Sequence, residues 1–155
     1  KTTPDAYRLG VGIMLLNKDG KVFVGQRLDM SSEAWQMPQG GIDEGEDPEA
    51  AMYRELLEET GVGEVKILAS TKDWLSYDLP QELRSRLWQG RFKGQKQKWF
   101  LVELQGGDEQ INIATEIPEF KSWKWVDPKD VTGLIVPFKV DLYNKVLAEF
   151  DSLLK

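Results

Sequence analysis

The chain has 155 residues, of which 41% are hydrophobic and 30% charged, and a net charge of −6. That is the size and balance of one globular domain spanning 1–155, able to bury roughly two-thirds of the surface its unfolded form exposes. It has no cysteine and no histidine, which excludes disulfides, thiol nucleophiles, Cys/His zinc sites and imidazole catalysis, and the acidity argues against a long nucleic-acid footprint held by bulk electrostatics.

No apolar run approaches the ~20 residues a bilayer span needs. The opening stretch Lys1 to Tyr7 is short and polar, without the apolar segment of an export signal. A cytoplasmic location is the expectation, although a first residue other than Met leaves room for a removed targeting segment. Arg8 to Asn17 is largely apolar and predicts a buried strand, closed by the turn Asn17-Lys18-Asp19-Gly20 and followed by a second strand, Lys21 to Arg27. Gly40, Gly41 and Gly45 mark a long loop. A helix from Pro48 to Thr60 then opens on the cap Asp47 and ends at Gly61.

Glu64 to Tyr77 and Lys98 to Gln105 predict further strands, and Trp123 to Val126 a short one. Val140, Tyr143, Val146, Leu147, Phe150 and Leu154 recur at helical spacing and predict a closing amphipathic helix. Together these elements suggest a mixed sheet packed between helices.

On a helical wheel of ~100° per residue, Met52, Tyr53, Leu56 and Leu57 fall on one side. Glu55, Glu58 and Glu59 share the other, with Ala51 among them leaving space above the helix. Like charges three and four apart destabilise a helix by ~0.2–0.5 kcal/mol per pair, so the cluster works against local structure unless a cation offsets it. An isolated acidic triplet of this kind is usually a solvated face. Here a double glycine precedes the helix, and oxygen-only ligands suit Mg²⁺. Arg54 can pair with Glu58 one turn on, either to orient the carboxylates or as a plain surface bridge.

The run Gly40 to Val62 resembles the Nudix box at nine specified positions over 23 residues: Gly40, Glu46, Arg54, Glu55, Leu56, Glu58, Glu59, Gly61 and Val62. Tyr7-Arg8, Ala34 to Gly41, Trp74 to Tyr77, Gly94 to Phe100, Pro118-Glu119-Phe120 and Phe138-Lys139 extend the likeness. They point to the branch of bacterial RNA 5′-pyrophosphohydrolases and plant-type diadenosine tetraphosphate hydrolases. The resemblance implies an α/β fold, an α/β/α sandwich with a central mixed β-sheet.

It also implies Gly40, through its carbonyl, and Glu55, Glu58, Glu59 and Glu119 as ligands for more than one Mg²⁺, with Mn²⁺ as a substitute. Water deprotonated by Glu58, Glu59 or Glu119 would attack a phosphorus, and the sequence leaves open which glutamate is the base. The substrate would be a 5′-phosphorylated RNA end, yielding monophosphate and pyrophosphate, or diadenosine tetraphosphate, yielding ATP and AMP; a silent nucleotide-binding regulator is the third reading. Arg8, Arg27, Gln39, Tyr77, Val136, Phe138 and Lys139 are expected around nucleotide and phosphates.

The segment Gln81 to Lys98 is locally basic, with Arg84, Arg86, Arg91, Lys93, Lys96 and Lys98 against Glu82 alone. Most of these suit a solvated loop. Lys98 is the one expected at the substrate, because it starts a strand beside Trp99. Trp35, Trp99, Trp123 and Trp125 are expected to pack rather than bind ligand, while Trp74 and Trp88 stay undecided.

Overall fold

The computed structural model describes residues 6–28 and 33–154; the first five residues of the polar opening lie outside it. Two long strands form the centre of a mixed sheet, β1 (Tyr7–Leu16) and β6 (Gly94–Leu104), running parallel from the pair Tyr7/Gly94 to Leu16/Glu103. Among the described residues every other pairing between strands is antiparallel. The outer edge of β6 is shared by β4 (Val65–Ser70) and β5 (Leu75–Asp78), the latter followed by the single-turn helix α2 (Gln81–Arg84). β3 (Gln39–Gly41) lies along the outer edge of β1, while β2 (Val22–Arg27) pairs with it only at Leu16/Val22 and passes on to β7 (Phe120–Val126).

The expected hairpin is therefore splayed. Pro38 takes its place beside β1, its carbonyl accepting from the Ile13 N–H at 2.9 Å. Because β1 is covered on both faces, it reads as a continuous apolar run. Val11, Ile13 and Leu15 pack with Phe23, Phe100 and Val102 under α1 (Pro48–Thr60). Met14, Leu16, Trp99 and Leu101 pack on the opposite side with Leu142, Tyr143, Val146 and Phe150 of α3 (Val140–Phe150). The architecture is the expected α/β/α sandwich.

Several expectations change. Glu64 to Tyr77 is not one strand: Thr71 ends the first part by lending its hydroxyl to the Trp99 N–H at 3.1 Å, and pairing resumes only at Leu75. The strand expected from Lys98 begins at Gly94, where a Cβ would stand 1.9 Å from the Tyr77 carbonyl oxygen, so only glycine lets the two backbones approach. β7 begins at Phe120 rather than Trp123, and β3 occupies what looked like loop.

The wheel for α1 is also rotated. Tyr53 and Leu57 are exposed, whereas Ala51, Met52 and Leu56 are fully buried against the sheet together with most of Glu59. Burying Met52 and Leu56 contributes about 1.5–3 kcal/mol each, enough to outweigh the tenths of a kcal/mol set by the like-charge spacing. Ala51 thus packs against the sheet rather than opening space among the glutamates. Among the described residues no helix is long and apolar enough to cross a membrane.

Candidate active site

Helix α1 starts as its sequence requires. The Asp47 carboxylate accepts from the N–H groups of Glu49 and Ala50 at 3.1 and 3.3 Å, and the left-handed Gly61 (φ 77°) returns its N–H to Leu57. Its acidic residues sit beside β3, the short strand that leaves the edge of β1 thinly covered. Gly40 makes this possible: a Cβ there would lie 2.1 Å from the Glu55 carboxylate. The Gly40 carbonyl oxygen faces β1, 2.6 Å from where a Cβ on Gly10 would be.

Arg54 holds the acidic group from one side. Its guanidinium donates to both Glu46 oxygens at 2.8 and 2.9 Å, to Glu55 at 2.9 Å, to Glu58 at 3.3 Å and to the Gly41 carbonyl at 2.9 Å. A lone surface bridge to Glu58 describes one of these five bonds, so the arginine is the hub that ties the glycine loop to the helix. The bidentate arginine holds the Glu46 carboxyl down at about 2.

Burial has the opposite effect on the other pair. It pushes the Glu55 carboxyl above the usual range despite the neighbouring arginine. Glu59 is pushed much further up, by burial first and then by the hydrogen bond and charge of Glu55 and the charge of Glu119. Such a pair retains a proton or takes a cation in its place.

Two cavities meet at these carboxylates. One, of about 390 Å³, is lined by Glu55, Glu58, Glu59, Glu116 and Glu119 with Leu57, Thr115 and Ile117. The other, of about 480 Å³, is a cleft whose wall includes Arg8, Arg27, Gln39, Gly40, Tyr77, Arg86, Trp88, Val136, Phe138 and Lys139. Glu55, Glu59 and Glu119 line both. Among the described residues no three acidic side chains already close on one point as a finished metal cage. The donor set, carboxylate oxygens beside a backbone carbonyl, has the chemistry of a hard divalent cation site.

The cleft is basic and aromatic. Arg8 stacks over Trp88 with 5.2 Å to the ring centroid, Lys139 lies 4.9 Å over the Tyr77 ring, and Tyr77 and Phe138 have ring centroids 5.9 Å apart. Burial and the charge of Arg27 push the Lys139 ammonium down to about 8, against the pull of Glu59. Burial pushes the Tyr77 hydroxyl up to about 12.

The NUDIX domain profile matches residues 6–149. The chain belongs to the NUDIX domain family. Among Nudix relatives, the RNA pyrophosphohydrolase of Rhodospirillum rubrum is 59% identical over 92% of this chain and 86% of its own length. The RNA pyrophosphohydrolase of Roseobacter denitrificans is 55% identical over 94% of this chain and 92% of its own. Among solved structures, the E. coli dihydroneopterin triphosphate pyrophosphohydrolase superposes with a TM-score of 0.70 at 19% identity, covering 94% of this chain and 99% of that one. That likeness carries the Nudix fold alone.

The structure gathers Arg8, Arg27, Gln39, Tyr77, Val136, Phe138, Lys139 and the four expected glutamates around the two cavities. Lys98 is a correction. Its ammonium donates to the carbonyls of Thr71 and Lys72 at 3.1 and 3.0 Å and lies 5.9 Å from the Trp74 ring, away from the cleft wall. Strand alternation explains this, since Lys98 points to the opposite face from Gln97 and Trp99.

The two undecided tryptophans separate, Trp88 joining the cleft and Trp74 backing Lys98. Trp99 is buried, and Trp123 and Trp125 pack against Phe23, as expected. Arg86, expected in a solvated basic loop, lines the cleft, and Glu116 and Gln36 line the cavities although nothing local in the sequence separates them from solvated residues.

Proposed function

We propose that this protein is a divalent-cation-dependent RNA 5′-pyrophosphohydrolase of the cytoplasm, the 1–155 chain forming one Nudix domain that converts a 5′-triphosphate end to a monophosphate and pyrophosphate. The observation that carries this reading is the common wall of Glu55, Glu59 and Glu119, which joins a cation-ready acidic cavity to a cleft of arginine, lysine and aromatic side chains. Relatives more than half identical over nearly the whole chain bear that name.

Glu55, Glu58, Glu59 and Glu119, with the Gly40 carbonyl, would hold Mg²⁺ or Mn²⁺, in more than one position. Such ions supply neutralisation of phosphate charge and a lowered water pKa. Arg54 keeps Glu55 and Glu58 turned toward the cavity. Arg8, Arg27, Arg86 and Lys139 meet the phosphate chain, and Gln39 adds a hydrogen-bonding amide. Tyr77, Val136 and Phe138 offer flat and apolar surface to a base, which stacks whatever its identity.

Water adds across the anhydride that joins the first phosphate to the second. Its hydroxyl goes to phosphorus, a glutamate among Glu58, Glu59 and Glu119 takes the proton, and the departing pyrophosphate receives one in turn. With positioning and charge stabilisation sufficient for phosphoryl transfer, no covalent intermediate is required.

The test is an initial-rate comparison with Mg²⁺ at matched concentrations of a short 5′-triphosphorylated RNA and of diadenosine tetraphosphate. A higher kcat/KM on RNA is expected. A clear preference for the dinucleotide makes the protein a clearing enzyme for such nucleotides instead, and cleavage of neither removes the substrate assignment.

A further inference from the structure

An indole N–H donates a hydrogen bond and cannot accept one, whereas a carboxamide can be turned either way. Trp99 Nε1 donates to Gln97 Oε1 at 2.8 Å, with both side chains buried. That contact fixes the sense of Gln97, oxygen toward the indole and amino group away from it. The amino group then donates twice, to Gln39 Oε1 at 2.6 Å and to Gln95 Oε1 at 2.5 Å. Both neighbours spend their oxygens on Gln97. Each is left with an NH₂ group as its other end.

The anchor cannot turn. Trp99 is 1% exposed, packs edge-on against Tyr143 at 5.7 Å between ring centroids, and lies so close to Gly12 that a Cβ there would meet the ring at 2.1 Å. At the other end, Gln39 forms part of the cleft wall. Gln95 Nε2 is buried and has no hydrogen-bond partner among the described residues. It sits under β3, in the space that the missing Cβ of Gly10 would fill beside the Gly40 carbonyl.

We infer that Trp99 and Gln97 are positioning residues that set the hydrogen-bond polarity of the cleft, so that Gln39 presents its amino group rather than its oxygen to the anionic phosphate chain. This rests on reading the cleft as the seat of that chain. The two residues touch no substrate themselves. They act through an ordered run of amides in which one indole proton decides the direction of every bond.

Gln97→Glu inverts the arrangement while keeping the Trp99 contact. An ionised carboxylate accepts from the indole but cannot donate, so Gln39 must turn its amino group inward and show its oxygen to the cleft; because burial favours the protonated form, which still donates, both variants are followed upward in pH until the carboxyl has ionised. Gln97→Met removes the polarity without inverting it. Two quantities are measured on both variants: kcat and KM with 5′-triphosphorylated RNA, and the Kd of inorganic tripolyphosphate. For Gln97→Glu, KM and Kd should rise about tenfold or more with kcat within about threefold, and Gln97→Met should show a smaller rise. Equal losses in the two variants, a loss confined to kcat, or an unchanged KM and Kd in folded Gln97→Glu overturns the inference.

The wild-type protein gives a second readout that needs no variant. In a ¹⁵N spectrum, the Gln39 side-chain amino signals should shift on adding tripolyphosphate. Signals that stay still overturn the inference even if Gln97→Glu fails to fold. Wild-type protein that binds tripolyphosphate through Gln39 yet leaves triphosphorylated RNA intact would remove the RNA reading and leave the polarity relay standing.

Discussion

Glu46 and Arg54 are joined by two parallel hydrogen bonds, Nε to one carboxylate oxygen at 2.8 Å and Nη2 to the other at 2.9 Å. The pair locks the glycine-rich loop to α1, and the same guanidinium reaches Glu55 and the Gly41 carbonyl. Lysine is a point charge and cannot span these partners. Arg54→Lys should lower kcat by about tenfold or more while changing KM little, and steady-state kinetics on triphosphorylated RNA would show it.

The same pair sets an acid limit. Because the folded Glu46 carboxyl sits at about 2, below its ordinary 4.5, its contribution to stability is present above pH 4.5 and is lost as pH falls from there to about 2. Thermal unfolding of Glu46→Gln across that window should show a shallower acid decline than wild type. Matching slopes would mean that the carboxylate is not held by the arginine in solution.

Glu59 is buried beside Glu55 and in the field of Glu119, so a neutral amide in its place no longer needs a retained proton or a cation to be tolerated there. Metal-free Glu59→Gln should melt no lower than the parent, yet turn over at least about a hundredfold more slowly. A rate loss below about tenfold would take Glu59 out of the cation site, and turnover persisting in excess EDTA would dismiss the cation chemistry altogether.

Lys139 is held down to about 8 in the folded chain, against its ordinary 10.5. Its stabilising contribution is therefore present above pH 10.5 and lost as pH falls through about 8, so at pH 7 the buried ammonium costs stability. Lys139→Met should raise Tm at pH 7 and weaken substrate binding. A bound polyphosphate restores the preference for the charged form. Titration calorimetry near pH 8.5, in buffers of different ionisation enthalpy, should reveal uptake of a fraction of a proton on binding tripolyphosphate. No uptake places the lysine away from phosphate charge.

Trp88 supports Arg8 from below, and it and Gln89 have positive φ values of 52° and 61°. Holding non-glycine residues there costs of order 1–3 kcal/mol each, which suggests that the turn is kept for the cleft. Trp88→Ala should raise KM for RNA severalfold without lowering kcat, and unchanged kinetics would leave the tryptophan as packing. By contrast, Lys98→Gln should leave KM within about twofold and cost about 1 kcal/mol of stability, the worth of bonds to two carbonyls; a large rise in KM would return Lys98 to the cleft.

Local chemistry made α1 legible from sequence, because Asp47, Pro48 and Gly61 are cap residues whose meaning depends on their immediate neighbours. Burial on that helix was not legible. Which of Leu57 and Glu59 faces the sheet depends on how the whole helix rolls against β1, and a wheel fixes only relative angles. The cleft was legible only through family likeness, since its wall is assembled from β1, β2, β3, β5 and the turns before α3. The glutamine run carried a usable signal. Gln95, Gln97 and Trp99 alternate along β6, and a strand buried on both faces must pair such polar groups with one another.

The parallel pairing of β1 with β6 has a kinetic meaning. Tyr7 waits for Gly94 and Leu16 for Glu103, so β1 is completed by a strand synthesised only after β2, β3, α1, β4 and β5. Closing so large a loop is slow compared with forming α1 or the Asn17–Gly20 turn. A growing chain stalled before β6 displays an apolar strand with an open edge, the kind of surface that aggregates or recruits chaperones. Vulnerability to misfolding should therefore peak while β6 is still inside the ribosome, and substitutions that weaken the β1 edge should depress yield before they depress the melting temperature of molecules that have matured.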